Sequence, residues 1–327
     1  MKKLIELIHG AQKFILSTHR QCDGDGLGAE LALFYALKKL KKDVHVINID
    51  KTPRKYRFLN PHAHILYLEE GGFEIPEAKL ALVFDTNDSR LVEPLFSRLS
   101  EQGTQIVFVD HHPALTHGPK PTTDSWIDEK CASTGEMTYR LIRGLGVELD
   151  RDIARCLYTS IAFDTQFYRY IRNSPVSHEI TAELLKHNID PEDINRHLFS
   201  HQTAGKVAFL AKALGQIEFF DEGKTAFLKL CDEDLTYHQL EPDESRDVID
   251  MLMNIESLEA AVLFREDAPN HYKMSLRSKG KLEILSIAEK LGGGGHTYAA
   301  GAFVRGELAP FKQSILSAIS KKMKDLK

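Results

Sequence analysis

Cysteine is scarce in this sequence, and no two of the four, Cys22, Cys131, Cys156 and Cys231, share a CxxC spacing. That leaves out a zinc ribbon, a thioredoxin-like pair and a disulfide-stapled miniature, and it fits reduced cytosolic thiols. Long apolar runs are missing too. Nothing approaches the ~20 apolar residues that a membrane helix needs, and Glu6, His9 and Lys13 break the run behind Lys2 and Lys3 that a secretory leader would require. There is no excess of positive charge either: 42 Lys and Arg stand against 47 Asp and Glu, a formal −5. Proteins that grip long nucleic acids carry a basic stripe, so any nucleic-acid substrate is expected to be short. No low-complexity tract or repeat of roughly 20–50 residues is visible, which sets solenoids aside. We therefore read a soluble, cytoplasmic protein with neither a membrane nor a long duplex as partner.

What is present is material for a core. Hydrophobic residues make up 43% of the 327-residue chain and charged residues 27%, which suits a globular protein of two domains. The first half alternates short apolar runs with helical patterns, the mark of a mainly parallel α/β sheet with helices on both faces. Strands are expected at Lys13–Ser17, Val44–Ile49, Leu80–Phe84 and Gln105–Val109, and a helix over Leu27–Leu40 after a Gly-rich turn. Helical patterns run from Ser133 to about Leu214, with segments opening at Ser177 and at Pro191, a favoured first helical residue. Strands return at Gln216–Phe220, Thr225–Leu230, Glu259–Phe264 and His271–Leu276. The expected division is a domain over 1–188, a helical linker over 189–215 and a smaller α/β domain over 216–327.

Three strand ends carry chemistry. His19, Asp23 and Asp25 lie in THRQCDGDGLG behind the first strand, Asp85 and Asp88 in VFDTNDSR, and Asp110, His111 and His112 in VFVDHHP. Ligands of open α/β sheets bind beyond the carboxyl ends of strands, so Asp85 and Asp110 are placed on one rim. Imidazole and carboxylate together suit a divalent cation. The ordinary alternatives are that Asp23 and Asp85 cap the following helices and that the paired histidines are satisfied at the surface. A further acid, Asp164 in SIAFDTQ, completes a set large enough for two ions sharing a carboxylate.

These motifs, in this order, resemble those of the DHH-superfamily phosphoesterases. The string MSLRSKGKLEILSIAEKLGGGGHTYAAGA, Met274 to Ala302, resembles the DHHA1 domain that accompanies them in the bacterial nanoRNase and 3′-phosphoadenosine-5′-phosphate phosphatase group. The resemblance implies one ion held by His19, Asp23 and Asp85 and a second by Asp25, Asp85, His111 and Asp164, with Asp85 bridging. It implies manganese, with magnesium or another divalent cation as substitute, and water activated between the ions for attack on phosphorus. His112 would contact the scissile phosphate, and Asp110 would orient a ligand. Gly293, Gly294, Gly295 and His296 would form a loop for phosphate, and Arg277 a planar fork for the nucleotide end, assisted by Arg169 and Asn173. For the glycines the ordinary alternative is a turn, and for Arg277 a surface salt bridge. The resemblance also allows a homodimer.

Two departures from the family pattern stand out: Cys22 where many relatives have Pro, and no Asn within Ala114–Thr116. Both bear on substrate preference and leave the ligand residues untouched. The expected activity is hydrolysis of very short RNA or DNA oligonucleotides, with 3′-phosphoadenosine-5′-phosphate as a second substrate. The alternatives are cleavage of cyclic di-AMP or its linear product, and a non-catalytic nucleotide sensor. Against a RecJ-like exonuclease stand the net acidity and the lack of room for an OB fold. Against a family II pyrophosphatase stands the GGGGH string.

Overall fold

A computed structural model describes residues 1–59, 65–115, 118–172, 174–200 and 203–325. The chain divides into two compact units, elements up to α7 in the first and those from α8 in the second.

The first unit runs α1 (Lys2–Gly10), β1 (Lys13–Thr18), α2 (Gly24–Lys39), β2 (Asp43–Asn48), β3 (Ile65–Tyr67), β4 (Leu80–Phe84), α3 (Leu95–Glu101), β5 (Gln105–Asp110), β6 (Trp126–Ile127), α4 (Thr134–Gly144), α5 (Arg151–Asp164), α6 (Val176–Leu184) and α7 (Pro191–Phe199). Its strands pair in parallel in the order β3-β2-β1-β4-β5-β6. Because side chains alternate along a strand, Phe14, Leu16, Leu82, Phe84, Val107 and Val109 face the core under α2, α4 and α5, whereas Ile15, Ala81, Val83 and Phe108 face the opposite core with Leu95 and Leu99 of α3. Both faces are covered, as the continuous apolar runs imply. The chain reverses its direction of winding between β1 and β4, the place past the strand ends where open α/β sheets bind ligands.

α2 begins three residues earlier than the apolar periodicity suggests. Asp23 caps it, its Oδ1 accepting from the backbone N–H groups of Asp25 (3.1 Å) and Gly26 (3.4 Å). This places Asp25 in the first helical turn. α2 is buried from Gly24 through most of its length and packs against α5, so closely that a Cβ on Gly28 would fall 2.5 Å from the carbonyl oxygen of Cys156. Cys22 is a packed core residue, 2% exposed. At Pro191 the expected helix start holds, with Asp190 as its cap.

The second unit runs α8 (Ala204–Leu214), β7 (Glu218–Phe220), β8 (Thr225–Cys231), α9 (Asp232–Tyr237), α10 (Arg246–Leu252), β9 (Ala260–Ala268), β10 (His271–Ser278), α11 (Leu285–Glu289), β11 (Gly294–His296), β12 (Ala299–Arg305) and α12 (Leu308–Asp325). Its sheet has the order β11-β12-β10-β9-β8-β7, antiparallel except for β8–β9. One face packs against α11 and α12, the other against α8 and α10. The glycine run is not an open loop, which corrects the sequence expectation. Gly294, Gly295 and His296 pair with Gly301, Ala300 and Ala299 in a tight hairpin. A Cβ on Gly293 would fall 1.9 Å from the carbonyl oxygen of Gly301, and Gly295 has φ +130°. The run has a packing reason independent of any ligand. Among the described residues no helix is long and apolar enough to cross a membrane.

Gly28→Ala should destabilise the protein by roughly 1–3 kcal/mol through overpacking. Gly10→Ala, where the added Cβ meets nothing within 4 Å, should shift stability by under about 0.5 kcal/mol. Urea denaturation of the two variants checks this; equal losses would contradict the close α2–α5 packing.

Candidate metal centre

Each strand end hands over its side chains in a way set by local chemistry. Behind β1 the chain bends so that His19 Nε2 lies 3.8 Å from Asp23 Oδ2 and 3.5 Å from Asp85 Oδ2. The capping reading of Asp23 holds without exhausting the side chain, since Oδ1 serves the helix and Oδ2 faces His19. Asp85 is no cap. Directly after β4 it adopts a left-handed φ of 61° while its N–H donates to the Val109 carbonyl at 3.0 Å. A non-glycine residue there costs on the order of 1–3 kcal/mol and persists only where its surroundings demand it. Asp88 does the ordinary work, accepting from Arg90 N–H and pairing with the Arg90 guanidinium.

Behind β5, His111 is fully buried, its Nδ1 3.3 Å from the Cys131 carbonyl and its Nε2 3.4 Å from Asp25 Oδ2, 3.6 Å from Asp85 Oδ1 and 3.4 Å from Asp164 Oδ2. Asp164 is the last residue of α5. His112 Nδ1 lies 2.8 Å from Asp110 Oδ1 and 3.6 Å from Asp85 Oδ1. Asp110 is buried and also accepts from the Asn87 amide at 2.6 Å.

Donor atoms thus gather in groups whose members lie within 4.8 Å of one another: His19 with Asp23 and Asp85; Asp25 with His111 and Asp164; Asp85 with Asp110 and His112. Asp85 faces His19 through one oxygen and His111 through the other. The charges are crowded. Burial, then the nearby Asp85 and Asp164 charges, push the Asp25 carboxyl well above its usual range, and burial likewise raises Asp164. Asp85 goes the other way: burial opposes it, but hydrogen bonds from His111 and His19 hold it well below. Burial would lower His19, yet Asp23 and Asp85 bring it up to about 10; for His112, burial is outweighed by Asp110 and Asp85, which raise it to about 9. Two like charges about 4 Å apart repel by about 4 kcal/mol at an effective dielectric near 20. Hard oxygen and imidazole donors in this number and at these spacings fit divalent cations, whose charge would relieve the repulsion.

Several groups that sequence reasoning passed over shape the site. The N-terminus of α4 points two backbone donors at Asp25, Thr134 N–H to Oδ2 at 2.8 Å and Gly135 N–H to Oδ1 at 3.1 Å, and Ser160 Oγ donates to the same carboxylate. Thr134 Oγ1 donates to Asp85 Oδ1 at 3.1 Å. Partners 49 to 135 residues away left no local signal; only the start of α4 was readable, where Ser133 Oγ accepts from Glu136 N–H and the Glu136 carboxylate accepts from Ala132 N–H.

Outside the cluster, Arg169 is exposed in the turn after α5, and Asn173 lies outside the described residues. Arg277, in β10 of the second unit, is half-buried, with Nε 4.0 Å from Asp250 Oδ1 and an N–H donated to the Leu276 carbonyl at 3.1 Å. Gly293 to Gly295 and His296 lie in or beside the β11–β12 hairpin.

Two family models match the chain: the N-terminal domain of the DHH family over residues 13–161 and the DHHA1 domain over residues 225–325. The chain thus carries a DHH-family N-terminal domain followed by a DHHA1 domain. Among its relatives, the bifunctional oligoribonuclease and PAP phosphatase NrnA of Thermus thermophilus is 28% identical over 309 residues, 94% of this chain and 89% of the relative. The NrnA of Mycoplasma genitalium, named the same way, is 25% identical over 92% of this chain and 91% of its own length. An exopolyphosphatase-related protein from Bacteroides fragilis has the same fold, with a TM-score of 0.86 at 23% identity over 99% of this chain and 96% of that one.

In the metal-free protein, the His19 proton contributes stability that is fully present below about pH 6.5 and is lost as pH rises through about 10. A cation takes imidazole in its neutral form, so binding near pH 7 must expel that proton. Calorimetric titration with Mn²⁺ in two buffers of different ionisation enthalpy should show net proton release and an affinity that falls as pH is lowered. Affinity independent of pH between about 6 and 8 would contradict this assignment.

Proposed function

We propose that this chain is a metal-dependent phosphoesterase that hydrolyses very short oligonucleotides to nucleoside monophosphates and removes the 3′-phosphate from 3′-phosphoadenosine-5′-phosphate. The observation that carries the reading is the convergence of His19, Asp23, Asp25, Asp85, His111 and Asp164 past the strand ends of one parallel sheet, with Asp85 facing both groups. The NrnA relatives, named as oligoribonuclease and PAP phosphatase, supply the substrate class.

In this reading His19, Asp23 and Asp85 hold one divalent cation, and Asp25, Asp85, His111 and Asp164 hold a second. We take the ions to be manganese because two of these donors are imidazoles, which suit it better than magnesium. Bound there, such ions lower the pKa of water and neutralise charge growing on the phosphoryl oxygens. The protein's own groups do the rest. Asp110, itself held by Asn87, fixes His112 through Nδ1 and keeps the imidazole protonated near neutral pH, so His112 can hold a phosphoryl oxygen and stabilise charge that develops there. Thr134 and Ser160 keep Asp85 and Asp25 from rotating away. Residues 1–188 form the catalytic part, 189–215 the linker, and 216–327 the substrate-holding part, where Arg277 and His296, with the adjacent glycines, grip the nucleotide end; Arg169 and Asn173 assist from the first. The same reading makes the protein cytoplasmic and a homodimer.

Three expectations follow from these roles. Asp85→Asn should lose nearly all turnover and bound metal together while the fold survives; full activity with two metals bound would rule out a shared ligand. Substrates of about two to four nucleotides should be cut far faster than a 24-mer, because a chain of net charge −5 offers no basic track. Labelled dinucleotide, 24-mer, 3′-phosphoadenosine-5′-phosphate and cyclic di-AMP assayed side by side with Mn²⁺ test this, and equal turnover per end on the two oligonucleotides would contradict it.

Arg277→Ala should leave metal stoichiometry intact. It should lower kcat/KM on dinucleotides by roughly ten- to a hundredfold, the usual effect of losing a charge-assisted contact worth about 1.5–3 kcal/mol, and barely affect bis(p-nitrophenyl) phosphate. Equal losses on both substrates would remove Arg277 from the nucleotide end.

A further inference from the structure

Beneath the candidate metal centre lies a carboxyl that none of these roles uses. Glu30 sits in the middle of α2, a helix buried on nearly all sides, and is itself 0% exposed. Burying an acid on a helix whose Leu27, Leu31 and Leu33 are all core residues is costly, and an apolar side chain would ordinarily stabilise such a helix better. Its Oε1 accepts from the Asn48 amide at 2.7 Å, and its Oε2 has no hydrogen-bond partner among the described residues. So the group is retained at a cost, and the hydrogen bond it makes among the described residues is the one from Asn48.

Asn48 in turn finishes a ladder that the backbone leaves open. The parallel register of β1 with β2 ends at Leu16 opposite Val46. Past that point the Asn48 side chain takes over: its Oδ1 accepts from Thr18 N–H at 3.2 Å and from Ser17 Oγ at 3.4 Å. Thr18 is the residue before His19. Its hydroxyl donates to the Phe84 carbonyl at 3.0 Å, directly before Asp85. The first turn of α2 closes over it so tightly that a Cβ on Gly26 would fall 2.1 Å from Thr18 Oγ1.

We propose that Glu30 and Asn48 are positioning residues: Glu30 orients the Asn48 amide, which pins the end of β1 and thereby sets the geometry of the cation site that holds His19. The inference rests on the metal-site reading above. It differs from a general stabilising role in that it acts on one of the two sites. Asp25, His111 and Asp164 stand on α2, behind β5 and on α5; of these elements Asn48 meets, among the described residues, only α2, at Glu30, five residues beyond Asp25, while the other hydrogen bonds of its side chain end on Ser17 and Thr18 of β1, next to His19.

The test is a calorimetric Mn²⁺ titration of the metal-free full-length protein, with thermal melts alongside. Wild type should take up two ions in resolvable steps. Asn48→Ala should weaken one step by at least tenfold and leave the other within twofold. Burial pushes the Glu30 carboxyl up to about 8, so a neutral isostere is the conservative change, and Glu30→Gln should keep both steps within twofold. Should Asn48→Ala fail to fold, the exchange E30Q/N48D decides. The new amide can donate to the new carboxylate, which still accepts from Thr18 N–H. It should restore a two-step titration that N48D alone distorts. A folded Asn48→Ala with both steps unchanged, or both weakened alike, would overturn the relay, as would an exchange that fails to restore the titration. A wild type that binds no Mn²⁺ would overturn the metal-site reading itself, and the relay with it.

Discussion

Three carboxylates, Asp25, Asp85 and Asp164, face one buried imidazole, His111, at distances of 3.4–3.6 Å. So many acids can be brought together only if the fold supplies compensating donors, and much of the first unit is arranged to do so. The N-terminus of α4 gives Asp25 two N–H donors, and α5 adds the Ser160 hydroxyl. The close approach of those helices is what requires glycine at Gly28 and Gly135, where a Cβ would meet Ser160 or the α5 backbone at under 3 Å. Packing and electrostatics are here one constraint: a side chain at either glycine would push away the hydroxyl that the Asp25 carboxylate accepts from.

The parallel sheet makes the convergence geometrically natural. Neighbouring strands β1, β4 and β5 end side by side, so His19 and Asp85, more than sixty positions apart in sequence, meet past their ends. The direction of winding reverses between β1 and β4, and the left-handed Asp85 stands directly after β4 at that point. The buried Thr18, Asn48 and Glu30 layer below completes a site whose outer ligands rest on side chains that are themselves held.

Much of this was legible in the sequence, for stated reasons. Continuous apolar runs such as LALVF mark strands buried on both faces, and acids or imidazoles directly behind them stand out because such residues cannot end a buried strand without a partner. The ligand spacing at His19, Asp23 and Asp25 could be read, but whether Asp23 capped a helix or faced an imidazole could not, and it does both with different oxygens. What escaped had no periodic signal. β3 and β6 are three and two residues long, β11 and β12 are rich in Gly and Ala and pass for a loop, and Asn87, Thr134, Ser160 and Asn48 acquire meaning only through partners remote in the chain. Arg277 and the glycine hairpin illustrate the opposite difficulty: their residue types suggest phosphate, while their surroundings give each an adequate structural reason.

The most direct test of the account is a crystal structure of the protein grown with Mn²⁺, with anomalous difference maps recorded near the manganese edge. Two peaks are expected in the first unit, one beside His19, Asp23 and Asp85, the other beside Asp25, His111 and Asp164, with Asp85 touching both. A single peak, or density that leaves Asp85 bound to one ion only, would contradict it.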